Sequence, residues 1–486
     1  MEKEIKRKAG FHISPYLHST FGEILGTLIY DGTWVGKDSP IPNVNGIRKD
    51  VIDGMKECGI TAIRWPGGCA ADHYHWKDGI GKERKRRLAC SGQPNDFGTD
   101  EFMELCRLVG AEPILVANVA TGTPEEFADW YEYCNGDADT KYGSLRAQNG
   151  HPKPYGVRFW GIGNTDENVW HMAFNDPKQY GQNFLRFRTA IMHALKDVQL
   201  IGLGLSERHE TYGWVENFLE YVTHGKRWKG PDYLSVHHYI GAAKGRYEAC
   251  GDAVEYSDEA YYFTLDSIKA YQADIDLHRI YIAQHTSDQY PTKICFDEWG
   301  LWHLDATDET GLRQRQTMRD ALFAGLSLHV FYRNSDIVEF AMETQYANVL
   351  QSLFETDGEV FVKTPTFYAM KLLKEHLGND LCDISFGIED PMLDICTSIS
   401  PEGKRVVISV INKSLTEDKV IAVPECLSGY HIISAEEIAP VCVRMENTAE
   451  HPEQIHIENV NNLEPGWLKA KKHSMVRYCR EKGEKE

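Results

Sequence analysis

Eight short runs rich in Val, Ile and aromatic residues, each followed by a longer segment with helical periodicity, fill the chain up to about residue 380. The strand-like runs are 23–30, 61–65, 113–119, 157–163, 199–205, 233–239, 293–299 and 337–342. Helical patterns fall between and after them, at 47–58, 99–109, 124–134, 177–195, 213–223, 258–275, 311–328 and 365–377. Eight such alternations within one domain predict a (β/α)8 barrel, whose strands bury both faces and whose helices form the outer ring. The other α/β solution, an open doubly wound sheet, calls for a G-x-G-x-x-G turn after an early strand, and none occurs here.

Beyond about residue 380 the periodicity changes to short alternating runs separated by Pro, Gly, Asn and Asp, at 393–400, 405–412, 419–423, 429–435 and 473–479. That pattern predicts an antiparallel β-sandwich, which the strand-like segment 10–16 is placed to join. The expected division is a barrel over 17–378 and a sandwich made of 1–16 with 379–486. The 486 residues carry 52 Lys and Arg against 72 Asp and Glu, a formal charge of −20 that argues against nucleic acid or an anionic membrane as partner. No apolar run approaches the ~20 residues of a bilayer span; the longest, Ala321 to Tyr332, is interrupted by Gly325, Ser327 and His329. The N-terminus, MEKEIKRKAGFH, lacks the apolar centre of a secretory signal, so a cytoplasmic location is expected. The twelve cysteines form no C-x-x-C pair, which points to reduced thiols and to no bound metal or other cofactor.

In a barrel of this kind chemistry sits at the C-terminal ends of the strands. Read in order, those ends offer Glu23 and Tyr30; Arg64, Cys69, Asp72, His73, His75 and Trp76; Asn118; Asn164 through Glu167; Ser206 and Glu207; His237, His238 and Tyr239; Asp297, Glu298, Trp299 and Trp302; and Asn348 and Gln351. The set is rich in carboxylates, amides and aromatic rings. Rings offer flat apolar faces to sugar C–H groups, and amides and carboxylates bind hydroxyls. Two carboxyl groups about 5–5.5 Å apart, one nucleophile and one acid/base, hydrolyse a glycosidic bond with retention. Glu298, between the apolar run Ile294–Phe296 and Trp299, is the candidate nucleophile; a strand-end ion pair is the plainer reading. His73 and His75 form an H-x-H that is compatible with a metal-dependent hydrolase, although further ligands are not evident and hydrogen-bonded loop histidines explain the pair more simply. Cys69, after Pro66-Gly67-Gly68, lies in a loop where backbone approaches a ligand closely.

Taken together, IYDGTWVGKDSPIPNVNGIRKDV, RWPGGCAADHYHWKDGIG, FGTDEFMELC, VRFWGIGN, CFDEWG and NVLQSLF resemble the glycoside hydrolase family 51 α-L-arabinofuranosidases from about Gly10 to the end of the chain. The resemblance implies retaining enzymes with a barrel and a C-terminal sandwich that act on arabinofuranosyl oligosaccharides, assembled as homo-oligomers, hexamers among them. It makes Glu298 the nucleophile, and it places Glu23, Cys69, Asn118, Asn164, Tyr239 and Gln351 around the arabinofuranose ring. Asn164 is expected at the 2-hydroxyl and Tyr239 at the nucleophile; His237 and Trp302 complete the candidate substrate contacts.

One position departs from that family. Its fourth strand ends in Gly-Asn-Glu, the Glu being the acid/base, whereas this chain reads Gly163-Asn164-Thr165. A threonine hydroxyl has no usable pKa for protonating a leaving oxygen. Either the acid/base is missing, or Glu167 (better placed than Asp166, since alternate residues of an extended loop point the same way) replaces it. A second departure is Ile24, where the family has His. A sugar-binding protein without turnover, and a β-glycanase of the same family, are the other readings.

Overall fold

Eight parallel strands close into a barrel in the computed structural model, which describes residues 5–84, 92–165, 175–206, 213–241 and 250–483. After a short strand β1 (Arg7–His12) come the barrel strands β2 (Ser19–Phe21), β3 (Ala62–Trp65), β4 (Glu112–Ala117), β5 (Phe159–Ile162), β6 (Gln199–Ser206), β7 (Tyr233–Ile240), β8 (Lys293–Leu301) and β9 (Val338–Glu343). β9 pairs with β2 through Met342–Ser19 and Glu343–Thr20, closing the ring. Ala62, Ile114, Phe159, Ile201, Tyr233, Cys295, Phe340 and Met342 fill the interior as one apolar cluster, so the barrel is a packed core rather than a pore. Tyr16 lies against it, stacked on Phe340 at 4.7 Å.

The first barrel strand differs from the sequence expectation. The apolar run 23–30 is a loop and the strand is Ser19–Phe21, just before it. Gly26 in the left-handed region (φ 51°) turns the chain, while Ile24, Leu28 and Ile29 pack into the core from that loop. Burial, not extension, is what their apolarity records. The expected helix over 258–275 is two helices, Asp258–Asp266 and Lys269–His285, and the expected strand 10–16 is shifted to Arg7–His12, with a 3-10 turn at Pro15–Leu17. A hairpin at Phe354–Asp357 and Val360–Lys363, absent from the sequence reading, extends the last barrel loop.

The C-terminal part is an antiparallel seven-stranded sheet, in the order Arg7–His12, Asp380–Cys382, Leu393–Ile399, Arg405–Asn412, Ser474–Lys482, Tyr430–Ile438, Glu458–Asn459. A two-stranded sheet, Lys419–Ala422 with Trp467–Ala470, forms the thin second layer, and Ile421, Leu468 and Ala470 join Val406, Ile408 and Val410 in the apolar cluster between them. The opposite face of the large sheet lies on the barrel helix Met318–Arg333. Gly325 sits mid-helix there because a Cβ would come within 2.4 Å of Met475.

A buried polar seam runs along this contact. His329 bonds Asp394 through Nδ1 and the Ser409 hydroxyl through Nε2, both at 2.6 Å, and His376 reaches Ser409 at 2.9 Å and Ser398 at 2.8 Å. His18 meets the Tyr332 hydroxyl at 2.6 Å. All three rings are fully buried, and burial depresses their pKa values, that of His18 to about 3. Among the described residues no helix is long and apolar enough to cross a membrane.

Candidate active site

The strand ends converge on Arg64, which leaves β3 inside the barrel with its guanidinium over the Phe21 ring at 5.4 Å. Its Nη1 donates to Glu298 Oε1 at 3.0 Å, its Nη2 donates to Asn164 Oδ1, and its Nε lies 3.3 Å from Asp297 Oδ2. One cation therefore links strands β3, β5 and β8. Burial alone lowers an arginine pKa, but the charges of Asp297 and Glu298 more than offset it. The second oxygen of Glu298 accepts from the Tyr239 hydroxyl at 3.0 Å, and the Thr344 hydroxyl stands 3.2 Å behind that phenol.

Asp297 and Glu298 are neighbours on a strand, so regular alternation would send them to opposite faces. Pairing with β7 slips by one residue between Cys295–Ser235 and Glu298–His237. That bulge turns both carboxylates toward the same constellation, a common use of bulges beside active sites. Asp297 accepts from Ser235 Oγ at 2.6 Å and lies 3.3 Å from His237 Nε2; His237 Nδ1 lies 3.7 Å from Glu298 Oε1. Burial disfavours the imidazolium of His237, but Glu298 and Asp297 together raise its pKa above the ordinary value. Burial pushes the Asp297 carboxyl up, and Arg64 and His237 outweigh it to hold the group below the usual range.

Glu23 enters from the loop after β2. Its Oε1 accepts from the Ala70 N–H at 2.8 Å and its Oε2 from Gln345 Nε2 at 3.0 Å. The Pro66-Gly67-Gly68 turn has no room for side chains because Glu23 lies across it: a Cβ on Gly67 would come within 2.5 Å of that side chain, and Gly67 has φ 125°. Burial, then the charge of Glu298, pushes the Glu23 pKa up to about 7. Cys69 is exposed on the same loop, where the surrounding protein and the carboxylates of Glu23, Glu298 and Asp72 hold its thiol well above its ordinary pKa. It is a neutral contact there, not a thiolate.

Asn164 and Thr165 follow β5, with Asn164 Nδ2 donating to Thr165 Oγ1 at 3.1 Å; both are buried. Asp166, Glu167 and Glu207 lie outside the described residues. Trp302 is half-buried, its ring perpendicular to that of Tyr239 at 5.7 Å and its indole N–H bonded to the Ala306 carbonyl.

Two of the expected contacts have their amides committed elsewhere. Asn118 donates to the Tyr74 carbonyl (3.0 Å) and Thr121 Oγ1 (2.9 Å) and accepts from the N–H groups of Thr121 and Gly122. Gln351 is fully buried, accepting from the Leu301 N–H at 2.6 Å and donating to the Asp320 carbonyl and Thr366 Oγ1, each at 3.0 Å. Both shape loops of the cleft. The glutamine that touches the constellation is Gln345, which the sequence reading passed over, along with Ser235 and the central part played by Arg64. The signal was a second glutamine in METQYANVLQ, six residues before Gln351. His75 is engaged by Glu126 at 2.9 Å and by Thr121 Oγ1 at 3.3 Å, and His238 by Asp274 at 2.5 Å. Among the described residues no group of three His, Cys, Asp or Glu is placed to hold a metal ion.

Comparison with known proteins finds arabinofuranosidases. The family model described as alpha-L-arabinofuranosidase 1 domain matches residues 54–244, and that described as alpha-L-arabinofuranosidase C-terminal domain matches 297–474. The chain is 32% identical over 424 residues to an intracellular exo-alpha-L-arabinofuranosidase of Bacteroides ovatus, covering 84% of this chain and 80% of that one. Among solved structures it resembles the GH51 arabinofuranosidase of Xanthomonas axonopodis pv. citri (TM-score 0.86, 26% identity, 98% of both chains). It also resembles the Thermotoga maritima alpha-L-arabinofuranosidase arabinose complex (TM-score 0.84, 28% identity, 99% of this chain and 98% of that one).

Proposed function

This chain belongs to the glycoside hydrolase family 51 α-L-arabinofuranosidases, and we propose that it is a retaining, exo-acting member that releases L-arabinofuranose from arabinofuranosyl chains. The observation that carries the reading is Glu298 at the end of β8, one carboxylate oxygen taking a hydrogen bond from Arg64 and the other from Tyr239, each at 3.0 Å. Such a carboxylate is fixed in direction before substrate arrives, as an in-line nucleophile requires. In this proposal it attacks the anomeric carbon and forms a glycosyl-enzyme, which water then opens. Asn164 holds the 2-hydroxyl, with its carbonyl oriented by Arg64. Glu23 and Cys69 contact ring hydroxyls, His237 and Asp297 support Glu298 from below, and Trp302 lines the side where the leaving group departs. Asn118 and Gln351 act through the loops they tie down.

Thr165 occupies the position of the acid/base in this reading, and it slows cleavage of sugar–sugar bonds by about 10²–10⁴-fold, the usual worth of general acid catalysis. Glu167 is the alternative acid/base, and full activity on arabino-oligosaccharides that Glu167→Gln abolishes would overturn that statement. A cytoplasmic location, a homo-oligomeric state and imported arabino-oligosaccharides as the material handled complete the proposal; the printed name of the B. ovatus relative supports the first.

The experiment is proton NMR of the sugar first released from an activated aryl α-L-arabinofuranoside. Retained configuration, a faster release in azide and loss of turnover in Glu298→Ala support the proposal. An inverted product overturns it. Binding without any turnover, unchanged in Glu298→Ala, replaces it with a sugar-binding protein.

A further inference from the structure

Thr344, the first residue after β9, is fully buried and tied twice to the strand that carries Glu298. Its N–H donates to the Trp299 carbonyl at 3.0 Å. Its hydroxyl lies 3.2 Å from that of Tyr239, which in turn donates to Glu298 Oε2 at 3.0 Å. The methyl group has a seat of its own on Gly300, where a Cβ would come within 2.8 Å of Thr344 Cγ2. Gly300 is held in turn, its N–H donating to the Tyr271 hydroxyl at 3.0 Å. A β-branched side chain has one stiff torsion, so fixing the backbone and the methyl also fixes the oxygen, and that oxygen stands at the phenol.

The direction of the bonds follows from the groups themselves. An ionised carboxylate only accepts, so the phenol proton points to Glu298 and the phenol oxygen is left to accept from Thr344. Burial first, then the charge of Glu298, holds the Tyr239 phenol well above its ordinary pKa, so it stays a donor. The Thr344 hydroxyl acts on that phenol in the opposite sense, as a donor to its oxygen does. Bonds joined in this way polarise one another, and the outer donor strengthens the inner one.

Resting on the arabinofuranosidase reading above, we propose that Thr344 is a positioning residue for the reaction, its hydroxyl orienting the Tyr239 phenol toward Glu298 and strengthening the bond that fixes the nucleophile. Its effect on Glu298 passes through Tyr239, and that distinguishes it from a residue that only packs. A hydroxyl that merely fills space is replaced by a methyl group without loss of rate. One that supports the fold costs the same rate whether or not residue 239 carries a hydroxyl.

The test is a double-mutant cycle on 4-nitrophenyl α-L-arabinofuranoside, with wild type, Thr344→Val, Tyr239→Phe, the double variant and Thr344→Ser, and with thermal midpoints recorded beside kcat and KM. Thr344→Val should lower kcat about 3–10-fold, less than Tyr239→Phe does, with KM and the midpoint near those of the wild type. Thr344→Ser, which keeps the hydroxyl and loses only its seat on Gly300, should stay closer to wild type than to Thr344→Val. In the Tyr239→Phe background Thr344→Val should cost nothing further. If Thr344→Val does not fold, Thr344→Ala takes its place in the cycle. An unchanged kcat in Thr344→Val overturns the proposal and leaves the arabinofuranosidase reading standing. So does a further loss in the double variant equal to that in the single one, or a Ser variant as slow as the Val variant. Absence of turnover in the wild type overturns that reading itself, and the proposal with it.

Discussion

Glu23 holds a carboxyl in the candidate site at a cost to stability, and replacing it with glutamine makes that cost measurable. Its pKa is raised from 4.5 to about 7, by burial first and by Glu298 second. The folded chain therefore binds more protons than the unfolded chain between those two values, and stability falls as pH rises through that window. A shift of this size corresponds to about 3 kcal/mol, fully lost above pH ~7. Glu23→Gln carries no titration. Its amide still accepts from the Ala70 N–H, and once the Gln345 amide turns over, exchanging its Nε2 for its Oε1, it donates to that oxygen, which is buried with no partner among the described residues. The thermal midpoint of the variant should match or trail that of the wild type near pH 5 and exceed it progressively up to neutrality, levelling above it. The same variant should bind arabinofuranosides more weakly, because a carboxylate acceptor has been lost. A midpoint difference that does not change between acid and neutral pH refutes the reasoning.

Four further outcomes follow from the same contacts. His18, His329 and His376, all held neutral by burial, must gain protons on unfolding below their ordinary 6.5. Stability from them is full above pH ~6.5 and falls as the pH drops below it; His376→Asn should flatten the pH dependence of the denaturation midpoint. Tyr239→Phe removes one donor to Glu298 and should lower kcat about 10–100-fold with the fold unchanged by circular dichroism. Arg64→Met leaves Asp297 and Glu298 without their shared cation and should destabilise by about 3–5 kcal/mol in denaturant titration. Glu343 is fully buried with both carboxyl oxygens lacking a partner among the described residues, and burial pushes its pKa far up; Glu343→Met should raise stability by about 1–3 kcal/mol in the same assay.

Barrel strands were legible because a strand buried on both faces reads as a continuous apolar run, and seven of the eight lie within two residues of where that pattern put them. The first was missed because Ser19–Phe21 is too short to carry a pattern, while the apolar loop after it carries a misleading one. Glu298, Tyr239 and Asn164 were visible as strand-end residues. Asp297 beside them was visible too, but not on the same face, since a bulge leaves no mark in alternation. Gln345 and Gln351 could not be separated, because the loop between them winds through left-handed residues at Gln345, Asn348 and Leu350, and periodicity does not follow such turns. The polar seam of His329, His376, Ser398 and Ser409 was invisible for another reason: its members come from a barrel helix, the turn after a second helix and two distant sheet strands.

Glu298 as the covalent nucleophile is the centre of the proposal, and mass spectrometry of the intact protein during turnover of 4-nitrophenyl α-L-arabinofuranoside tests it most directly. On the proposal that Thr165 leaves water without a general base, the glycosyl-enzyme should accumulate as a protein heavier by one anhydropentose residue, and peptide mapping should place that residue on Glu298 within CFDEWG. An adduct on Glu23 or Asp297, or turnover with no adduct at any time, would contradict it.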